Sequence, residues 1–304
     1  MKTIYLQASS YLQETNLALC LGFFDGLHLA HIELLKRTIL EGKKRGIQTG
    51  MMTFSTHILS FIYNSPFEYL SSIIDKTKEA EKLGFDYFYV LEVTDDLVSL
   101  DAKDFIHQFL VKQKLIVVGF DYTYGKYGKG DVTLLTKQKE FETIIVSEMV
   151  YDQKKIGSTH IRQLIKEGNV TLASVLLGRP YSIYGKVVPG KNRGKSLGFP
   201  TANIKNLGYL QPLSGVYIVN VIVNHKIHHG LANIGDNPTF DDTGVTLEVY
   251  IFDFEQDIYG SNIKLCFLQY LREEVKFWSK QELIDQMVED EVITRSWFEK
   301  REIL

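Results

Sequence analysis

Leu17-Ala18-Leu19-Cys20-Leu21-Gly22-Phe23 is an apolar run that stops at Asp25-Gly26, and the pattern on its far side sets the fold. Ile32, Leu34-Leu35, Ile39 and Leu40 recur at helical spacing, with Lys36-Arg37 and Lys43-Lys44-Arg45 on the wet side and Gly46 as terminator. Residues 47–54 then read as a second strand. Strand, helix and strand in succession make a βαβ unit, which builds parallel sheets and gathers ligands at the carboxyl ends of the strands. The pattern continues with helix predicted over 73–83, strand over 87–93, helix over 102–111 and strand over 115–120. A last strand over 143–146 leads to two short helices, 158–167 and 170–177.

The character changes around Gly178-Arg179-Pro180-Tyr181. Short alternating strands come next at 182–188, 215–223, 228–234, 246–254 and 262–268, separated by loops rich in Gly, Asn, Asp and Pro. That is an antiparallel all-β pattern, expected to close into a small barrel. Residues 280–300 return to amphipathic helix. The expected class is therefore α/β plus all-β: a parallel-sheet domain over 1–179, then a small antiparallel β-barrel followed by a helix over 180–304.

Length and composition fit two ordinary globular domains. The chain has 304 residues, 45% of them hydrophobic and 23% charged. Its net charge of −3 argues against a broad basic surface for nucleic acid or an anionic membrane, so any phosphate binding must be local. Cys20 and Cys266 cannot make a zinc site alone; each reads as a buried free thiol, which suits a reducing compartment. The N-terminus lacks the apolar core of a signal peptide, and no run approaches the roughly 18 apolar residues of a membrane span. The chain reads as cytoplasmic. Self-association is left open.

Two stretches carry chemistry. Phe24-Asp25-Gly26-Leu27-His28-Leu29-Ala30-His31 lies between the first strand and the first helix. A helix N-terminus offers free N–H groups and positive partial charge, so phosphate oxygens bind there. His28 and His31 could donate to phosphates and stabilise the charge that grows as pyrophosphate departs. The plain alternative is a pair of polar residues capping a helix; zinc needs more ligands than lie nearby.

The second stretch is Val188-Pro189-Gly190-Lys191-Asn192-Arg193-Gly194-Lys195-Ser196-Leu197-Gly198-Phe199-Pro200-Thr201-Ala202-Asn203. It joins glycines to cations, which suits a loop that embraces phosphate, though neither Walker nor dinucleotide spacing is present. Thr201 and Asn203, alternate residues of an extended segment, can point two hard oxygens the same way, as Mg²⁺ prefers. The alternative is a flexible basic hairpin loop. Further on, alternation puts Leu247, Val249 and Ile251 on one face, and Glu248 with Tyr250 and Phe252 on the other. A carboxylate there could serve as a general base, although a strand glutamate is usually just solvated.

These residues carry a resemblance. Gly22-Phe23-Phe24-Asp25-Gly26-Leu27-His28-Leu29-Ala30-His31 resembles the Gly-x-Phe-Asp-Gly-x-His-x-Gly-His signature of the nucleotidyltransferase superfamily, specifically the adenylyltransferase domain of bacterial bifunctional FAD synthetases. Val118-Gly119-Phe120-Asp121-Tyr122-Thr123-Tyr124-Gly125 and Ile156-Gly157-Ser158-Thr159-His160-Ile161-Arg162 are similar to later segments of that family. Ala30 and Gly157 depart from its pattern, and Phe54-Ser55-Thr56-His57-Ile58 keeps the histidine but neither proline of Phe-Asp-Pro-His-Pro. Gly198-Phe199-Pro200-Thr201-Ala202-Asn203 is identical to the core signature of riboflavin kinases. Around it stand Gly178-Arg179-Pro180-Tyr181, Gly215-Val216-Tyr217, Asn233-Ile234-Gly235 with Pro238-Thr239, Leu247-Glu248-Val249, Asp257-Ile258-Tyr259-Gly260 and Leu271-Arg272, in family order.

The resemblance implies a Rossmann-like nucleotidyltransferase domain joined to a riboflavin kinase domain. The first would bind ATP through Gly22, Phe23, Asp25, Gly26, His28, His31, Ser158, Thr159 and Arg162, and flavin through His57 and Asp121. The second would bind ATP and flavin through Gly190, Lys191, Arg193, Gly194, Gly198, Phe199, Pro200, Thr201, Asn203 and Arg272, with Mg²⁺ on Thr201 and Asn203 and Glu248 as base. Arg272 also reads as a surface ion pair with Glu273 or Glu274. The implied activity converts riboflavin to FMN and FMN to FAD with ATP. Two alternatives stay open: a riboflavin kinase whose first domain is silent, and a flavin or nucleotide sensor without turnover.

Overall fold

The computed structural model describes residues 1–190, 198–235 and 246–302. The chain forms two compact units, Met1–Ser158 and Thr159–Leu304. In the first, six strands make one parallel sheet: β1 (Lys2–Leu6), β2 (Ala18–Leu21), β3 (Thr49–Phe54), β4 (Tyr87–Leu91), β5 (Leu115–Gly119) and β6 (Glu142–Val146). Their spatial order is β1-β4-β3-β2-β5-β6. The order reverses between β2 and β5, so the crevice of this sheet opens at their carboxyl ends.

Helix α1 (Leu29–Arg45) comes after β2 and buries Leu34, Leu35 and Ile39 of the expected stripe, whereas Ile32 is half-buried and Leu40 turns out to solvent. It ends in left-handed Gly46 after Lys43, Lys44 and Arg45, cations that suit the negative end of the helix dipole. Helix α2 (Ile73–Leu83) opens on a capping box between Ser72 and Asp75. The helix predicted over 102–111 is instead an α-turn, Ala102–Phe105, continued by a π-helix, Ile106–Leu110, that buries Ile106, Phe109 and Leu110. Strand β1 pairs with β4 at the edge of the sheet; it is not among the strands expected from sequence, although Thr3, Ile4 and Tyr5 are strand-forming residues.

In the second unit, α3 (Ser158–Lys166) and α4 (Val170–Leu177) precede a closed barrel of six antiparallel strands. These are β7 (Tyr181–Val188), β8 (Thr201–Asn206), β9 (Gly215–Val223), β10 (Lys226–Gly235), β11 (Thr246–Ile251) and β12 (Asn262–Arg272), in the order β7-β8-β11-β10-β9-β12. Ile183, Val219, Val221, Ala232, Val249 and Leu265 are essentially inaccessible inside it. The barrel is small enough for side chains to fill it, so ligands must be held outside its wall. Helix α5 (Lys280–Glu302) ends the described chain. Cys20 is buried as expected, and burial pushes its thiol up to about 12, away from reactivity. Cys266 is only half-buried, because it alternates with Leu265 and Phe267 on the outer face of β12.

Candidate active sites

The first site begins where β2 ends. Asp25 is 3% exposed, and its carboxylate accepts backbone N–H groups from Leu70 at 2.9 Å and Ser71 at 3.1 Å. Gly26 N–H donates to Ser71 Oγ at 2.8 Å, and Ser158 Oγ donates to the Asp25 carbonyl at 2.9 Å. The turn needs this bracing: Phe24 and Leu27 hold φ of 54° and 46°, a region that side chains rarely adopt.

His28 is the N-cap of α1, its Nδ1 accepting the His31 N–H at 3.3 Å. An accepting Nδ1 leaves the ring proton on Nε2, so this tautomer of His28 presents a donor. The His28 and His31 rings stack at 3.6 Å, and no acidic side chain stands in the first turn of α1 to repel an anion. Ala30 lies within the first turn of the helix, where a methyl group strains nothing. At Gly157 an added Cβ would meet nothing closer than Lys155, at 3.8 Å.

A cavity of about 830 Å³ opens beside this turn at the switch point of the sheet. Gly22, Phe23, His31, His57 and Asp121 all line it. His57 stacks on Phe67 at 4.4 Å, and both meet the Phe23 ring edge-on, making an aromatic wall suited to a flat ring. Asp121 pairs with Lys155 at 2.5 Å, a partner that neighbouring sequence does not reveal. Thr159 and Arg162 belong to the second unit.

The second site lies on the outer face of the barrel. Register puts Asn203, Glu248, Asn233, Val216 and Arg272 in one transverse row across five strands. Directly opposed residues of antiparallel strands project to the same side, so the row forms one surface. Leu247, Val249 and Ile251 are buried while Glu248 and Tyr250 are only partly so, as the alternation predicts. Thr201 Oγ1 donates to Glu248 Oε2 at 3.2 Å. Asn203 packs against Gly190, where an added Cβ would stand 1.9 Å from its Nδ2. Gly198 holds φ of 88°, which favours glycine. Phe199 is buried and meets the Tyr250 ring edge-on at 5.4 Å. Lys191, Arg193, Gly194, Pro238 and Thr239 lie outside the described residues.

Two cavities meet here. One, about 260 Å³, is lined by Thr201, Glu248, Asn233, Arg272, Phe277 and Met287 among others. The other, about 540 Å³, runs along Gly198, Pro200, Thr201 and Tyr259. Thr201 belongs to both. Arg272 makes its ion pair not with the Glu273 or Glu274 carboxylate but with Asp290 of α5, which its guanidinium grips at 2.7–3.1 Å while also donating to the Glu273 carbonyl at 2.9 Å, and Gln286 adds a bond to the Asp290 carboxylate. Only a contact 18 residues away reveals that pairing, so neighbouring sequence pointed to the wrong acids. Tyr250 OH donates to Glu291 at 3.2 Å; burial, with that carboxylate, pushes the phenol up to about 12.

Asp290→Ala is expected to destabilise the second unit by about 2 kcal/mol, measured by denaturant unfolding, because it strands Arg272 without its partner. The effect stays below that of a fully buried pair because Arg272 is 22% exposed.

Comparison with known proteins adds the family. A riboflavin kinase model matches residues 177–298, and an FAD synthetase model matches residues 11–160. A bifunctional riboflavin kinase/FMN adenylyltransferase of Listeria monocytogenes is 41% identical over 99% of this chain and 100% of its own length. This chain belongs to the bifunctional riboflavin kinase/FMN adenylyltransferase family. Members from Bacillus subtilis and Escherichia coli K12 are 35% and 34% identical, over 95% and 92% of this chain and 96% and 92% of their own lengths. A crystal structure from Streptococcus pneumoniae, named a macrolide-efflux protein, superposes with a TM-score of 0.88 at 34% identity, covering 97% of this chain and 99% of that one. No helix among the described residues is long and apolar enough to cross a membrane. The family assignment rests on both family models and on relatives matched along nearly the whole chain.

Proposed function

We infer that this chain makes flavin cofactors, phosphorylating riboflavin to FMN at the barrel and adenylylating FMN to FAD at the parallel sheet. The observation that carries the first step is Thr201, which lines both barrel cavities and bonds to Glu248. Riboflavin takes the apolar cavity beside Glu248, and ATP takes the one along Gly198 and Pro200. Glu248 accepts the proton of the ribityl 5′-hydroxyl as that oxygen bonds to the γ-phosphorus; the bond from this phosphorus to the bridging oxygen breaks and ADP leaves. Thr201 and Asn203 offer hard oxygens on one face of β8, and the missing Cβ of Gly190 leaves room for the second. These are the residues that would hold Mg²⁺, which supplies charge neutralisation on the phosphates. Arg272, held by Asp290, positions the flavin side of the cavity.

At the sheet, an FMN phosphate oxygen bonds to the α-phosphorus of ATP and pyrophosphate departs. His28 and His31, at the start of α1, donate to the departing charge. Gly22, Phe23 and Gly26 lie on the ATP side, Asp25 fixes the turn, and His57 and Asp121 form the flavin side. Ser158, Thr159 and Arg162 contribute to phosphate binding. A silent first domain is not favoured: the relatives carry both activities in their names, and they match this chain along nearly its whole length. A sensor needs no base, so Glu248 beside Thr201 argues against it. Small molecules are the partners, and two free cysteines suit the cytoplasm.

The test is direct. Purified protein with riboflavin, ATP and Mg²⁺ is expected to yield FMN and then FAD by chromatography. FMN alone would leave a kinase with a silent domain; unchanged riboflavin would leave a sensor.

A further inference from the structure

Next to Phe23 in the wall of the first cavity lies a lysine that neither reaction uses. Lys76, in the first turn of α2, is 1% exposed. Removing an ammonium from water is costly, so lysine is almost never buried without a purpose or a partner. Its Nζ sits 3.9 Å from the centroid of the Phe23 ring. The ring is also met edge-on by His57 and Phe67, so its orientation is fixed by three neighbours. Two carboxylates act on the lysine. Asp75 is committed to the capping box of α2, and Asp25 holds the phosphate-facing turn to residues 70 and 71.

We propose that Lys76 is a positioning residue for adenylyl transfer: its ammonium fixes the Phe23 ring in the cavity wall and balances the Asp25 carboxylate that pins the Gly22–His28 turn. The proposal rests on the reading of this cavity as the site of FAD formation.

This placement gives a pH signature. Burial lowers Lys76 from its ordinary 10.5 to about 8, against the opposing pull of Asp25 and Asp75. The groups facing it are Asp25 from the turn and Asp75 from its own helix, with His57 in the ring cluster around Phe23. Below about 8 the ammonium is charged and does its work; above, that charge is lost. Stability runs the other way. Between about 8 and 10.5 the unfolded chain binds a proton that the folded chain has released, so the unit gains stability as pH rises. An alkaline fall in FAD formation across that window therefore cannot be attributed to unfolding through this group.

The experiment compares the full-length wild type with Lys76→Met and Lys76→Arg. FAD formation from FMN is followed across neutral and alkaline pH, and FMN formation from riboflavin is measured on the same samples. The wild type is expected to lose FAD formation as pH passes about 8. K76M is expected to run about tenfold lower at neutral pH, mostly through KM, with no alkaline limb of its own. K76R is expected to restore activity and hold it into alkaline pH, since guanidinium stays charged. FMN formation should match in all three. K76M with normal FAD formation, or an alkaline limb persisting in K76R, would overturn the proposal alone. A wild type that makes no FAD would overturn the assignment of the cavity together with it.

Discussion

Glu248→Gln is expected to abolish FMN formation while leaving adenylylation of supplied FMN intact. The amide keeps the shape of the carboxylate and can still meet Thr201 Oγ1, which now lies 3.2 Å from Glu248 Oε2, so the barrel wall should not rearrange. What disappears is the ability to take a proton, a contribution of about 10²–10⁴-fold for a positioned base. Feeding riboflavin to one reaction and FMN to another separates the steps. Loss of FMN formation alone supports a base dedicated to the barrel. Equal loss of both activities would refute two separate sites.

The mirror experiment is His28→Asn. Asparagine caps helices as well as any residue, so α1 should keep its start and stability should change by less than about 1 kcal/mol. Its shorter amide cannot stack on His31 as the imidazole does at 3.6 Å, nor reach with an Nε2–H. FAD formation is expected to fall about 10²–10³-fold, the cost of one donor aimed at developing negative charge. FMN formation should be untouched. If FAD formation survived at near wild-type rate with an intact fold, the histidine would be a cap and nothing more.

Much of this architecture was legible in the residues. The apolar run before Asp25 and the amphipathic stripe after it dictated β2 and α1, and period-two alternation turned Glu248 outward from the barrel. The π-helix over Ile106–Leu110 was not legible, because apolar spacing distinguishes poorly between helix types. The sequence marks β8 only as an extended segment; its place between β7 and β11 depends on pairing partners distant in sequence. The site residues split along the same line. Motif residues carried their own signal. Asp290, Lys155 and Lys76 did not, since each acquires its role from a neighbour that only folding supplies.

The shared position of Thr201 has a kinetic meaning. If the phosphoryl donor and the alcohol approach this residue from opposite sides, neither blocks the other's entrance, and both must be present before anything happens. Steady-state plots would then intersect, with no phosphorylated enzyme to trap. A compound that fills the nucleotide chamber would leave flavin access unobstructed, so blocking agents aimed at the two chambers could occupy one molecule together.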